Sequence, residues 1–159
     1  MTLMITPEPL TREIFKPFGD VIQIDGAETS VINSGYTTSV NNLIDFQLNG
    51  DDAYPQLRFF LGRPRPLELQ MLERHPLGSQ AFYPLEHKKW LVVVATEPKA
   101  EFVKVFLADG DQGINYHSNI WHHPLLVIAP QRFIVIDRGG SGKNCDEAKI
   151  QPSVTIAIS

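Results

Sequence analysis

Cysteine is almost missing from this chain: Cys145 is the single one in 159 residues. One thiol closes no internal disulfide, so the fold is expected to rest on its hydrophobic core, in a reducing, cytoplasmic compartment. Positive charge is not in excess either. Lys and Arg number 14 against 18 Asp and Glu, a net charge of −4, which argues against the clustered basic surface that a nucleic-acid backbone demands. No apolar run approaches the roughly 20 residues of a membrane helix. The opening MTLMITPEPL carries no basic segment and is broken by prolines, so no secretory signal is expected. What is present, 43% hydrophobic and 20% charged residues, is the makeup of one globular domain over residues 1–159.

Helix signals are scarce. Thr11 is placed to cap a short N-terminal helix running to about Lys16, with Gly19 placed to end it. Val21 to Ile24 then reads as a strand, and strands follow one another to the end of the chain. Leu67, Leu69 and Met71 alternate with Glu68, Gln70 and Leu72. WLVVVAT, Trp90 to Thr96, is an apolar run of buried character. In EFVKVFL, Val103, Val105 and Leu107 face one way while Phe102, Lys104 and Phe106 face the other. Leu125 to Ala129, Phe133 to Asp137 and Ser153 to Ile158 repeat the signal. Turn residues separate these runs, as at Asn49-Gly50-Asp51, Asp109-Gly110-Asp111 and Gly139-Gly140-Ser141-Gly142. Short strands spaced by turns predict an all-β sandwich or barrel.

Histidine is the rare residue that is concentrated. Of five, three lie in NYHSNIWHHPL, Asn115 to Leu125. Such a cluster can grip a metal, move protons or sit on a wet surface. Consecutive strand residues point to opposite faces, so His122 and His123 do not enter one pocket. The spacing describes a turn at Ser118-Asn119 entering a strand that delivers His122 inward, with His117 at the rim. His123, facing the other way, is expected to pack or to lie at an interface. It is not the helical H-E-x-x-H pattern of zinc proteins.

A second segment carries Glu73-Arg74-His75 and, five residues on, Gln80. Glu73 and His75 are two apart and share a strand face. This framework resembles that of metal-binding cupin barrels, with Glu73 where those carry a first histidine, Gln80 where they carry an acid, and His122 as the later lone histidine. A set of Glu73, His75, Gln80 and His122 would hold a divalent ion only loosely, because an amide is a poor ligand. The longer motifs ELQMLERHPLGSQAFYPL, GINYHSNIWHHPLL and IDRGGSGKNC are similar to those of the ureidoglycolate lyase family of the allantoin pathway, from the FGDVI segment to IDRGG. That resemblance implies a cupin-like double-stranded β-helix or barrel and a homodimer. It implies a lyase of purine degradation that splits ureidoglycolate into glyoxylate and urea, and an association with nickel.

The residues suit that chemistry. Ureidoglycolate is a carbinolamine, and breaking its C–N bond needs a base for the hydroxyl proton and an acid for the departing urea nitrogen. Each transfer typically contributes about 10²–10⁴-fold, and imidazole serves either way near neutrality. No covalent nucleophile, redox group or required cofactor enters such a reaction, in keeping with a chain lacking a Gly-rich phosphate loop and a nucleophile elbow. Glu73 and His75 are expected to form the acid–base pair, with His122 on the opposite wall as second proton carrier or metal ligand. Gln80, His117 and Trp121 are expected to contact substrate, Gln80 because its amide offers both a donor and an acceptor to the ureido group. For the substrate carboxylate the nearest cations in sequence are Arg63, Arg65, Arg74, Lys88 and Lys89, with the amides of Gly78-Ser79 as the alternative. Asp137-Arg138 reads as a structural pair, and Asn144 and Cys145 as turn residues. Two other functions fit the same residues: a non-enzymatic cupin that binds a small carboxylate without turnover, and a metal-dependent cupin of another reaction class, which metal analysis would separate.

Overall fold

A computed structural model describes the chain from Met1 to Ser159. Its strands are β1 (Thr2–Ile5), β2 (Glu8–Pro9), β3 (Gly19–Ile22), β4 (Glu28–Ile32), β5 (Thr37–Asn41), β6 (Tyr54–Gly62), β7 (Glu68–Arg74) and β8 (Gln80–Pro84). They continue as β9 (Trp90–Ala95), β10 (Val103–Ala108), β11 (Gly113–Tyr116), β12 (Trp121–His122), β13 (Leu126–Val127), β14 (Gln131–Gly139) and β15 (Asp146–Ile156). No helix is long and apolar enough to cross a membrane.

One large sheet runs in the order β1-β15-β7-β12-β9-β10-β2, with β13 also pairing β9. A second runs β3-β11-β8-β14-β6, and β4 with β5 forms a separate hairpin. The two larger sheets curl toward each other, as expected for an all-β barrel-like fold. Between them lies an aromatic-rich core that takes Trp90, Val92, Val94 and Phe106 from the first sheet and Val21, Phe82, Ile114, Tyr116, Phe133 and Val135 from the second. A second core, with Leu69, Leu72, Leu91, Val93, Val105 and Val154, fills the other face of the first sheet.

Two cores explain the sequence pattern. Alternate side chains of a strand leave on opposite faces. In β9 the even residues enter the first core and the odd residues Leu91, Val93 and Ala95 enter the second, so WLVVVA is apolar throughout. β10 alternates as expected, with Val103 and Val105 in the second core and Phe106 in the first.

β7 departs from the expected alternation: Leu69 and Leu72 are both buried in the second core. The pairing with β15 shifts between Met71↔Lys149 and Leu69↔Val154. Gln70 thus stands opposite the stretch Ile150 to Ser153, and such a bulge breaks the two-residue period.

The helical signal yields a single turn, α1 (Arg12–Phe15), capped by Thr11, whose hydroxyl accepts from Ile14 N at 3.2 Å. Gly19 does not end it. It begins β3 with a positive φ of 158°, and a Cβ there would run into the Asn115 carbonyl of β11. Close strand approach, not a helix cap, requires the glycine.

Candidate active site

β12 is two residues long and wedges between β7 and β9, pairing His122 with Glu73 on one side and with Val94 on the other. Directly paired residues share a face, so Glu73 and His122 both look into the first core. His122 therefore stands beside Glu73 on the same wall, not across from it as the spacing suggested, because its short strand joins the sheet next to β7.

His75, just past the end of β7, completes the group. His122 Nε2 lies 3.6 Å from Glu73 Oε1 and His75 Nε2 lies 3.9 Å from the same oxygen. The two rings are 5.1 Å apart and tilted by 51°. Each Nδ1 faces a backbone carbonyl, that of Asn144 for His75 at 2.8 Å and that of Ile120 for His122 at 2.9 Å. A carbonyl only accepts, so both Nδ1 atoms carry the hydrogen and both Nε2 atoms are turned to Glu73. Those Nε2 atoms are buried with no hydrogen-bond partner. Their separations from Oε1 are ion-pair distances, longer than hydrogen bonds. The side chains of Glu73 and His75 are about one-fifth exposed and that of His122 is 2% exposed, so the group opens to solvent from the Glu73 and His75 side.

Burial alone would raise the Glu73 carboxyl pKa. The interaction with His122 and the charge of His75, joined by the Cys145 thiol, outweigh it and hold the carboxyl below its ordinary value. Glu73 is thus a carboxylate at neutral pH, with both imidazoles gathered on it. Its oxygen and the two free ring nitrogens all lie within 4.8 Å of one another, an arrangement that can hold a metal ion.

Three neighbours were not evident from the sequence. Tyr116 stacks on His122 at 4.2 Å and 11° and fixes its ring plane. Burial and then the Glu73 charge push its phenol far above the ordinary range, so it stays protonated. Asn144 accepts from His75 through its carbonyl and from Leu77 N, at 2.7 Å, through its side chain. The Cys145 thiol faces Glu73 Oε2 at 3.8 Å, and burial followed by Glu73 raises its pKa, which keeps it a thiol. Asn144 and Cys145 occur in the quoted IDRGGSGKNC, but only the pairing of β15 with β7 brings Asn144 to His75 and Cys145 to Glu73.

The other expected site residues lie outside the Glu73–His75–His122 group, and Gln80 stands nearest it, paired with Tyr116 across β8 and β11. Gln80 is buried and one N–H of its Nε2 donates to Asp137 Oδ2 at 3.1 Å. His117 pairs with Asp20 at 3.1 Å, away from Glu73. Trp121 projects into the second core under the Arg74 guanidinium, 4.6 Å from its ring centre, because it alternates with His122. His123 is buried, with its amide donating to Val93 O and its Nδ1 to Pro124 O, and so packs. Asp137 does not pair with Arg138: it takes Arg58, Gln56 and Gln80, while Arg138 anchors Asn49 O and Ser141 O.

The chain matches the family model described as ureidoglycolate lyase over residues 2–157. It is 47% identical to the ureidoglycolate lyase of Pseudomonas syringae pv. syringae (strain B728a), over 88% of this chain and 86% of that one. It is 47% identical to ureidoglycolate lyase 1 of Rhizobium meliloti (strain 1021), over 92% and 89%. Identity to the ureidoglycolate lyase of Azotobacter vinelandii (strain DJ / ATCC BAA-1303) is 44%, over 91% and 90%.

Proposed function

The chain belongs to the ureidoglycolate lyase family, and from that premise we propose that it eliminates urea from ureidoglycolate to give glyoxylate, in allantoin degradation, at Glu73, His75 and His122. The observation that carries this reading is the convergence of two buried, unpartnered Nε2 atoms on one carboxylate. Buried polar groups are normally satisfied, and a pair left unspent beside an ionised Glu73 is suited to accept and deliver protons.

The steps follow from the carbinolamine. One imidazole, neutral at Nε2, removes the hydroxyl proton as the carbonyl of glyoxylate forms and the C–N bond breaks. The other, protonated at Nε2 and stabilised by the Glu73 carboxylate, gives its proton to the departing urea nitrogen. Tyr116 holds the His122 ring in plane. Gln80, its Nε2 committed to Asp137, presents its carbonyl oxygen as an acceptor for a ureido N–H.

Glu73, His75 and His122 also fit a divalent metal such as nickel, since both free nitrogens and a carboxylate oxygen converge. A bound ion would supply Lewis-acid polarisation of the substrate oxygens.

One cupin-like domain, residues 1–159, in the cytoplasm, carries the activity in this reading, and two copies associate. β6 is the edge of its sheet, and its outer face bears Leu57, Phe59 and Leu61, each more than 60% exposed. A long apolar edge strand is a template for pairing with a second copy. Phe59→Glu is expected to convert a dimer to a monomer in sedimentation equilibrium; an unchanged mass would rule out this face. Urea and glyoxylate release from fresh ureidoglycolate, with and without chelator and beside an enzyme-free blank, tests the activity. Release above the blank is expected, its loss on chelation would make the metal obligatory, and no release with or without added nickel would refute the lyase.

A further inference from the structure

The inner face of the second sheet ends in a polar row. Tyr116 pairs with Gln80 across β11 and β8, and Asp137 pairs with Gln56 across β14 and β6. The Gln80 amide joins the two halves by donating to Asp137. Arg58, opposite Val135 and hence on the same core-facing side, ends the row. It forms an ion pair with Asp137 through one Nη and lies 4.8 Å over the Phe60 ring. Tyr116 stacks on His122, so the row begins at the proton-transfer group.

The geometry points to Arg58 as the seat of the substrate's carboxylate. This assignment rests on the lyase reading for the substrate, whose ends are a carboxylate and a ureido group. Arg58 has one donor committed to Asp137, a ring beneath it to fix its plane, and a side chain 44% exposed. The rest of its fork is free to grip a carboxylate in two places. Asp137 accepts from Gln56 and Gln80 besides Arg58, which spreads its charge and lets it hold the guanidinium rather than cancel it.

The other cations are spent or misplaced. Arg74 is bound to Asp146 and stacked on Trp121. Arg138 is buried on loop carbonyls, Arg132 is bound to Glu86, and Lys88 donates to Pro130 O. Arg63 and Arg65 are exposed on the segment after β6, beyond the row.

Arg58 would then set specificity for a charged carbinolamine. The test compares ureidoglycolate with hydroxymethylurea, which keeps the carbinolamine and urea but replaces the carboxylate with hydrogen. Arg58→Met is expected to raise KM for ureidoglycolate and to lower its preference over hydroxymethylurea by roughly 10²-fold, the scale of a lost charge-assisted contact. Turnover of hydroxymethylurea should stay within about threefold, and Arg58→Lys should recover part of the preference, keeping charge without the fork. An unchanged preference, or equal losses on both substrates, would overturn the assignment. Calorimetric binding of glyoxylate needs no turnover and separates this inference from the lyase reading. Binding by wild-type protein that weakens at least tenfold in Arg58→Met supports the seat even if turnover fails, whereas equal binding, or none by wild type, refutes it.

Discussion

Two histidine–carboxylate pairs stand on the same turn and are built differently. His117 Nε2 meets Asp20 Oδ2 at 3.1 Å, and that oxygen also takes the Asn115 amide at 3.0 Å and the Asp45 backbone N–H at 2.9 Å. Five residues later His122 faces Glu73 at 3.6 Å, its Nε2 buried and unpartnered, and His75 repeats the arrangement from another strand. In the first pair the facing atoms, His117 Nε2 and Asp20 Oδ2, are bonded and pin β3, the 42–48 segment and the turn before β12 to one another. The second has kept its capacity in reserve. Residue type is shared, and unspent bonding at a partly open carboxylate is what separates chemistry from architecture.

That contrast breaks most easily at His122. His122→Asn should reduce kcat by about 10³-fold, within the range for removing a positioned proton carrier, with a much smaller change in Tm; a rate-determination series with the blank subtracted checks it. Glu73→Gln keeps the shape and removes the charge that favours the imidazolium. It should lower kcat by about 10²-fold, within the range for a group that assists proton transfer, measured by the same blank-corrected rates.

His117→Asn should do the reverse of His122→Asn. Loss of its bond to Asp20 should cost about 1–2 kcal/mol of stability by urea unfolding, with kcat within about threefold. A large kcat loss there would erase the distinction between the two pairs.

The smallest effect lies at His123, whose pKa is lowered first by burial and then by Arg65, against the pull of Pro124 O. A histidine with a depressed folded pKa binds its proton later than the unfolded chain does. Its contribution is therefore full above the unfolded value of about 6.5 and is lost as pH falls from there toward the folded pKa. Stability should decline below about pH 6.5 with a slope of at most about 1.4 kcal/mol per pH unit from this group, and His123→Gln should flatten that slope.

Much of this was legible in the sequence, for identifiable reasons. Alternation marks β-structure wherever one face differs from the other, and His122 with His123 obeyed it. Glu73 and His75 were brought together by their spacing alone. Trp121 was misplaced because alternation tells that neighbours diverge, not which face meets substrate. His122 was set on the wrong wall because a two-residue strand gives no pairing signal. Asn144 reaches His75 and Cys145 reaches Glu73 only through the β15–β7 ladder, and Tyr116 reaches His122 through packing across the core. Arg58 lies 15 residues before Glu73 on a different sheet, so a search for cations near the motif in sequence passes over it. Long-range pairing is what the linear chain leaves unwritten.

The most direct test measures urea and glyoxylate together from fresh ureidoglycolate, for wild type, His117→Asn and His122→Asn, against an enzyme-free blank. Equimolar release well above the blank from wild type and His117→Asn, with His122→Asn at or near the blank, is the predicted result. Release by His122→Asn at the wild-type rate would contradict the claim that the unspent histidine nitrogens on Glu73 carry the reaction.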